Sequence, residues 1–185
     1  STVLINDRPQ QKITEAKLDA DLEQRRVEAT ISEGDGVVLS RRILLQAPLL
    51  HVEDVYTAET PHLFTCIVHP YGPATVLFPG QPVDITTQEL PETGVFSFLA
   101  HARKSVSKTP ICLEWQSGEG LWLRGWFGTD APFEYVLGQT PGHPRYDFRN
   151  TLLIRIQGVN VRLRMVFEVH TGTATLLTPP SQVVF

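Results

Sequence analysis

The strongest constraint on the fold is a run of strict alternation near the end of the chain. In "VNVRLRMVFEVH", Val161, Leu163, Met165, Phe167 and Val169 fall on one side. Arg162, Arg164, Glu168 and His170 fall on the other, with Val166 the one apolar residue among them. A helix cannot sort these residues, because its repeat is 3.6, whereas a strand with one buried and one solvated face sorts them at once. Just upstream, "TLLIRIQ" places Leu152, Ile154 and Ile156 on a common face. The intervening "GVN" (158–160) reads as a short connection between two antiparallel neighbours.

The rest of the chain is punctuated in the same style. Its 14 prolines and 13 glycines are spread throughout, cutting the sequence into short apolar runs joined by turns. Strands are predicted in "GVVLSRRILLQA" (36–47), "LFTCIVH" (63–69), "VDIT" at Val83, "ICLEW" (111–115) and "GLWLRGWFG" (120–128). Trp122 and Trp126 share a strand face with Arg124, a pattern that reads as packing. Two segments read as helix. "QKITEAKLDADLEQRRVEAT" (11–30) is made of helix formers without Gly or Pro, and carries a thin apolar stripe of Ile13, Leu18, Leu22 and Val27. "GVFSFLAHARKS" (94–105) is the second. The prediction is an all-β domain preceded by an N-terminal arm, residues 1–35, with a short helix. The stripe is its interface to a neighbouring protein.

Size and charge exclude several classes. A chain of 185 residues, 42% of them hydrophobic, can bury roughly 70% of its unfolded surface and fold without a metal or disulfide. No apolar run approaches the ~20 residues of a membrane span, so no membrane partner is expected. The start has no signal-peptide core, and Cys66 and Cys112 lie far apart without metal-ligand spacing. Free thiols in a reduced, intracellular setting are expected. The net charge is −4. Residues 1–35 carry five basic and eight acidic side chains, while residues 101–185 carry nine basic and six acidic ones. That mild bias is not the concentrated basic face of a dedicated nucleic-acid binder.

Chemistry leaves little trace. There is no glycine-rich phosphate loop, and the six histidines never stand at i, i+2 or i, i+4, so neither cofactor nor metal is expected. Ser117 in "WQSGEG" reads as a hairpin turn, not a nucleophile elbow. Glu53 and Asp54 are adjacent, so a strand points them to opposite faces and they cannot act as a pair. No catalytic residue is assigned. The densest basic patch, "ARKSVSK" (102–108), gathers Arg103, Lys104 and Lys108 in what reads as a solvated loop. With Arg162 and Arg164 it is the candidate contact to RNA phosphates or to an acidic subunit.

The tail "DFRNTLLIRIQGVNVRLRMVFEVHTGTATLLTPPSQ" resembles the closing segment of coat proteins of picorna-like plant viruses, the comovirus and cheravirus group. Those subunits end in two consecutive antiparallel strands and an extended tail containing "PP". Here the corresponding pieces are residues 152–157, 161–169 and 176–180. "ICLEWQSGEGLWLRGWFG" looks like the paired strands in the middle of such a domain. A start at Ser1 and an apolar "QVVF" end also fit a piece cut from a polyprotein. The resemblance implies an eight-stranded antiparallel jelly-roll sandwich over residues 36–178, with a C-terminal tail at 179–185. It would tile an icosahedral virion with sister coat proteins around an RNA genome, assembled in the host cytoplasm, and would not be an enzyme. The acidic arm departs from the basic arms of many such proteins and would contact protein, not RNA. The alternative from the residues themselves is a soluble β-sandwich binding module, lectin- or adaptor-like.

Overall fold

The computed structural model describes residues 2–10, 12–69, 74–78, 83–84, 90, 94–118, 120–141 and 148–171. The segments 70–73, 142–147 and 172–185 lie outside them, and with these the proposed "PP" tail, the C-terminal segment 179–185 and the Ser117 side chain. Thirteen strands, all paired antiparallel, make up the described chain. They are β1 Thr2–Ile5, β2 Arg8–Pro9, β3 Ile13–Asp21, β4 Arg26–Glu33, β5 Val38–Gln46 and β6 Leu49–Val68. There follow β7 Ala74–Phe78, β8 Val83–Asp84, β9 Ala100–Ser107, β10 Ile111–Gly118, β11 Leu121–Thr129, β12 Phe133–Pro141 and β13 Phe148–Thr171. Among the described residues no helix is long and apolar enough to cross a membrane.

Two long strands organise the sheet. β6 and β13 pair along almost their whole length and pass from one layer of the sandwich into the other. The first half of β6 and the second half of β13 lie in one layer, in the order β3-β4-β5-β6-β13-β11-β10-β7. The other halves join β1 and β2 on one side and β12, β9 and β8 on the other. The passage falls where the ladder breaks, between Gly158 paired to His62 and Asn160 paired to Thr57. Pro61 has no N–H to offer there. A Cβ on Gly158 would stand 2.6 Å from Val161 Cγ2, so a bare backbone is what lets the chain bend at this point.

The expected connection at "GVN" is therefore a bulge inside one strand, not a turn between two. The alternation on either side is as predicted. Leu152, Ile154, Ile156, Val161, Leu163 and Met165 are buried. They meet Phe64, Cys66, Ile111, Leu113, Trp115, Phe127 and Tyr135 in one core between the layers. Phe167 is only half-buried, and Val169, at the open end, is 58% exposed. Val166, the apolar residue on the polar side, is buried in a small outer cluster with Cys112 and Trp126.

The N-terminal helix is not formed. Residues 11–30 instead supply the hairpin β3–β4, in register from Leu18 opposite Ala29 to Asp21 opposite Arg26. Its turn is closed by the Arg25 N–H donating to the Leu22 carbonyl, with Arg25 at φ 52°. Nor are residues 1–35 an arm. β4 pairs with β5, β1 pairs with β6, and Leu4 is 6% exposed. Of the second expected helix, only Gly94–Phe98 coils, as a 3-10 turn, before β9 begins. An all-β antiparallel fold holds, with thirteen strands in place of eight.

Candidate functional site

The outward face of the first layer carries most of the polar chemistry. Register fixes which side chains stand side by side. One row runs Cys112, Trp126, Val166, His51, Leu44 across β10, β11, β13, β6 and β5. The next row runs Arg164, Glu53, Arg42, Glu28 across β13, β6, β5 and β4. Opposite charges alternate along this second row, the stabilising cross-strand arrangement. Arg164 Nε donates to Glu53 Oε1 at 3.0 Å, Arg162 Nε lies 3.6 Å from the same oxygen, and Arg42 Nε donates to Glu28.

Between the two rows lies a groove of about 430 Å³, lined by Arg42, Leu44, Gln46, His51, Glu53, Arg164 and Val166. Its floor is apolar and its rim is charged, the usual composition of a small-ligand site. His51 contributes a ring nitrogen, Nε2, that is buried without a hydrogen-bond partner. Burial also lowers the pKa of His51, so the imidazole is held neutral and keeps one acceptor and one donor.

Beside the groove a second ionic group is almost closed off from solvent. Arg124 donates to Glu114 Oε1 from Nε at 3.1 Å and from Nη2 at 2.8 Å, and its Nη1 lies 3.7 Å from Glu168. His170 Nε2 is 2.7 Å from Glu114 Oε1. The guanidinium stands 5.5 Å from the Trp126 ring centroid, within cation–π range. The Trp126 indole N–H has no partner. Removing water from such a network strengthens each bond and raises the cost of leaving one unmade.

The residues singled out in the sequence are dispersed by the fold. Arg164 lines the groove, and Arg162 and Arg164 both lie against Glu53. Arg103 and Lys104 belong to β9 in the other layer and, as strand neighbours, point to opposite faces. The segment expected as a loop is thus a strand up to Ser107. Lys104 Nζ lies 3.5 Å from Glu134, while Arg103 and Lys108 are exposed. No single basic face is assembled from these five. Of the stripe on the former arm, Ile13, Leu18 and Leu22 are 54%, 76% and 86% exposed, and Val27 is half-buried. In the sequence His51, Arg42 and Glu114 carry no signal of their own, and Glu53 and Arg124 read as an acid without a partner and as part of a packing face; only strand pairing brings the five together. Among the described residues no group of three or more His, Cys, Asp or Glu is placed to hold a metal ion.

No family model and no curated protein matches this chain. Solved structures are similar in shape. Heparinase III superimposes with a TM-score of 0.58 at 10% identity, covering 93% of this chain and 24% of that one. A putative aldose 1-epimerase of Escherichia coli K12 gives 0.51 at 12% identity, covering 85% of this chain and 69% of that one. The chain thus spans about a quarter of the heparinase III chain. At these identities the likeness is one of fold.

Proposed function

We propose that this chain is a β-sandwich binding module for a saccharide and works as one part of a larger carbohydrate-processing protein. The observation that carries the reading is the groove across β5, β6 and β13, where Arg42, Glu53 and Arg164 rim an apolar floor and the His51 ring nitrogen is unsatisfied. Charged and amide-like groups at a rim hydrogen-bond hydroxyls, and an apolar floor accepts the C–H face of a sugar ring. The proteins of similar fold are named for heparin and for aldoses, which agrees with a saccharide ligand.

Calorimetric titration with neutral and uronic-acid-containing oligosaccharides tests this. Binding to the intact chain is expected, weakened about tenfold by Arg42→Ala and by His51→Ala. Absence of heat with every sugar, or unchanged binding by both variants, overturns the reading.

The coat-protein reading stands second. It rests on the resemblance of residues 111–128 and of the tail, in which residues 152–157 and 161–169 are successive halves of β13 and not two separate antiparallel strands. Particles about 30 nm across in electron micrographs of the expressed chain would support it.

A further inference from the structure

We infer that the cavity between the β1–β2 turn and the 3-10 turn Gly34–Gly36 is a binding site for an oxyanion. It has a volume of about 770 Å³ and shares no lining residue with the groove, so the inference does not depend on the saccharide reading. Its lining includes Arg8, Lys12, Glu33 and His62, with Ile5 and Val37 as apolar walls.

The backbone explains why these side chains converge. Asn6 and Asp7 both take positive φ, 50° and 60°, the geometry of a tight hairpin turn that brings Arg8 opposite Ile5. Asn6 is pinned in place twice: its N–H donates to the Leu63 carbonyl at 2.8 Å, and its Oδ1 accepts from the Leu63 N–H at 2.9 Å. Across the hollow, the Gly34 N–H donates to the Lys12 carbonyl at 3.0 Å, which ties Lys12 to the second turn.

The electrostatics then point to an anion. Five cations of the sheet faces each have a carboxylate: Arg41 has Asp54, Arg42 has Glu28, Arg124 has Glu114, Arg155 has Asp7, Arg164 has Glu53. Arg8 and Lys12 have none among the described residues. Both face the same hollow. His62 adds a third group whose orientation is fixed. Its Nδ1 lies 2.7 Å from the Thr60 carbonyl, which can only accept, so Nδ1 carries a proton and Nε2 of the neutral ring is an acceptor, placed to take a hydroxyl of the ligand and not its charged oxygens. Glu33 also lies on the lining, and its charge offsets part of that of the two cations. A phosphate, sulfate or carboxylate group would take the two cations as charge-assisted bonds.

Inorganic phosphate is the probe, followed by thermal unfolding at constant ionic strength with chloride as the reference salt. Phosphate also stabilises proteins through exclusion from their surface, so the comparison between variants is what discriminates. Phosphate is expected to raise the unfolding midpoint of the intact chain, and Arg8→Gln and Lys12→Gln are each expected to weaken its apparent affinity about tenfold. Both positions are exposed, so the variants fold. Arg103→Gln, on β9, is expected to leave the rise unchanged. A glycerol phosphate arm distinguishes sources: a comparable rise assigns an esterified headgroup, and a rise with the inorganic ion alone assigns the free anion. No rise above chloride, or the same rise in the Arg8→Gln/Lys12→Gln double variant, overturns the inference.

Discussion

Arg41 and Asp54 face each other across β5 and β6 in a two-pronged pair, with Arg41 Nε and Nη2 each 2.6 Å from one carboxylate oxygen of Asp54. Asp54 is 1% exposed and also accepts from the Tyr56 hydroxyl at 2.7 Å. Its neighbour Glu53 turns the other way, to Arg164, as adjacent residues on a strand must. Burial works against the Arg41 charge, and Asp54 more than offsets it. Arg41→Leu leaves a buried carboxylate without its cation, and a loss of about 3–5 kcal/mol in urea unfolding is expected. Arg41→Leu combined with Asp54→Leu is expected to lose less than the sum of the two single changes.

The two cysteines are free and buried. Burial pushes the Cys66 thiol up to about 12, with the Asp54 charge adding to it, and pushes Cys112 likewise to about 12. Thiolate is the reactive form, so neither side chain should react with iodoacetamide in the native protein at pH 8. Mass measurement after denaturation is expected to show two added groups. Rapid labelling of the folded chain would contradict the packing around both.

Removal of side chains from the N-terminal hairpin separates an arm from an integral strand. Leu18, on β3, is 76% exposed, and Leu18→Asp is expected to change stability by no more than about 0.5 kcal/mol. Leu4, on β1, packs with Ile67, Val136 and Leu153, and Leu4→Ala is expected to cost about 2–5 kcal/mol. Deleting residues 1–30 strips β1, β3 and most of β4 and should unfold the domain, which circular dichroism would register.

The hairpin also shows where the sequence misleads. Glu15, Lys17, Asp19 and Asp21 alternate with Ala16, Leu18 and Ala20, a period of two hidden because alanine reads as a helix former. The turn at residues 22–25 has no glycine or proline to mark it, and Arg25 takes the left-handed conformation instead. At "GVN" the error is opposite: a glycine that marks a close approach to Val161 was read as a chain reversal. The apolar faces of β10 and β13 are legible because period two survives any pairing, whereas on β11 the face of Trp122 and Trp126 lies outside the main core, which takes Leu123 and Phe127 instead. The groove is not legible, because its position depends on the register of β5 against β6 and on the pairing of β6 with β13, which brings Arg164 from more than a hundred residues away beside Glu53.

Phe167 tests the end of the core. It is half-buried, with its ring 5.7 Å from that of Phe127 in an edge-to-face contact. A fully buried Phe cut to Ala costs ~3–5 kcal/mol, and at this partly open position a loss of about 2 kcal/mol is expected for Phe167→Ala. Urea unfolding measures it.

Stability should fall as the solution is acidified from neutral pH. Burial lowers the pKa of His51, and burial followed by the charge of Arg149 lowers that of His69. The unfolded chain therefore binds protons at these rings before the folded one does. The stability they contribute is complete above the ordinary value of about 6.5 and is lost as pH drops through the depressed folded values. The unfolding midpoint in urea is expected to be lower at pH 5.5 than at pH 7.5, with a smaller difference in His51→Gln.

The most direct measurement is a nitrogen-15 amide spectrum of the intact chain titrated with uronic-acid-containing oligosaccharides. Saccharide binding in the groove predicts shifts concentrated at Leu44, His51, Glu53, Arg164 and Val166, on the consecutive strands β5 and β6 and on β13, which is distant in sequence and adjacent in space. In Arg42→Ala the same shifts should need about tenfold more sugar. Shifts scattered over the surface, shifts confined to other elements, or none at saturating sugar would contradict a binding module built on β5, β6 and β13.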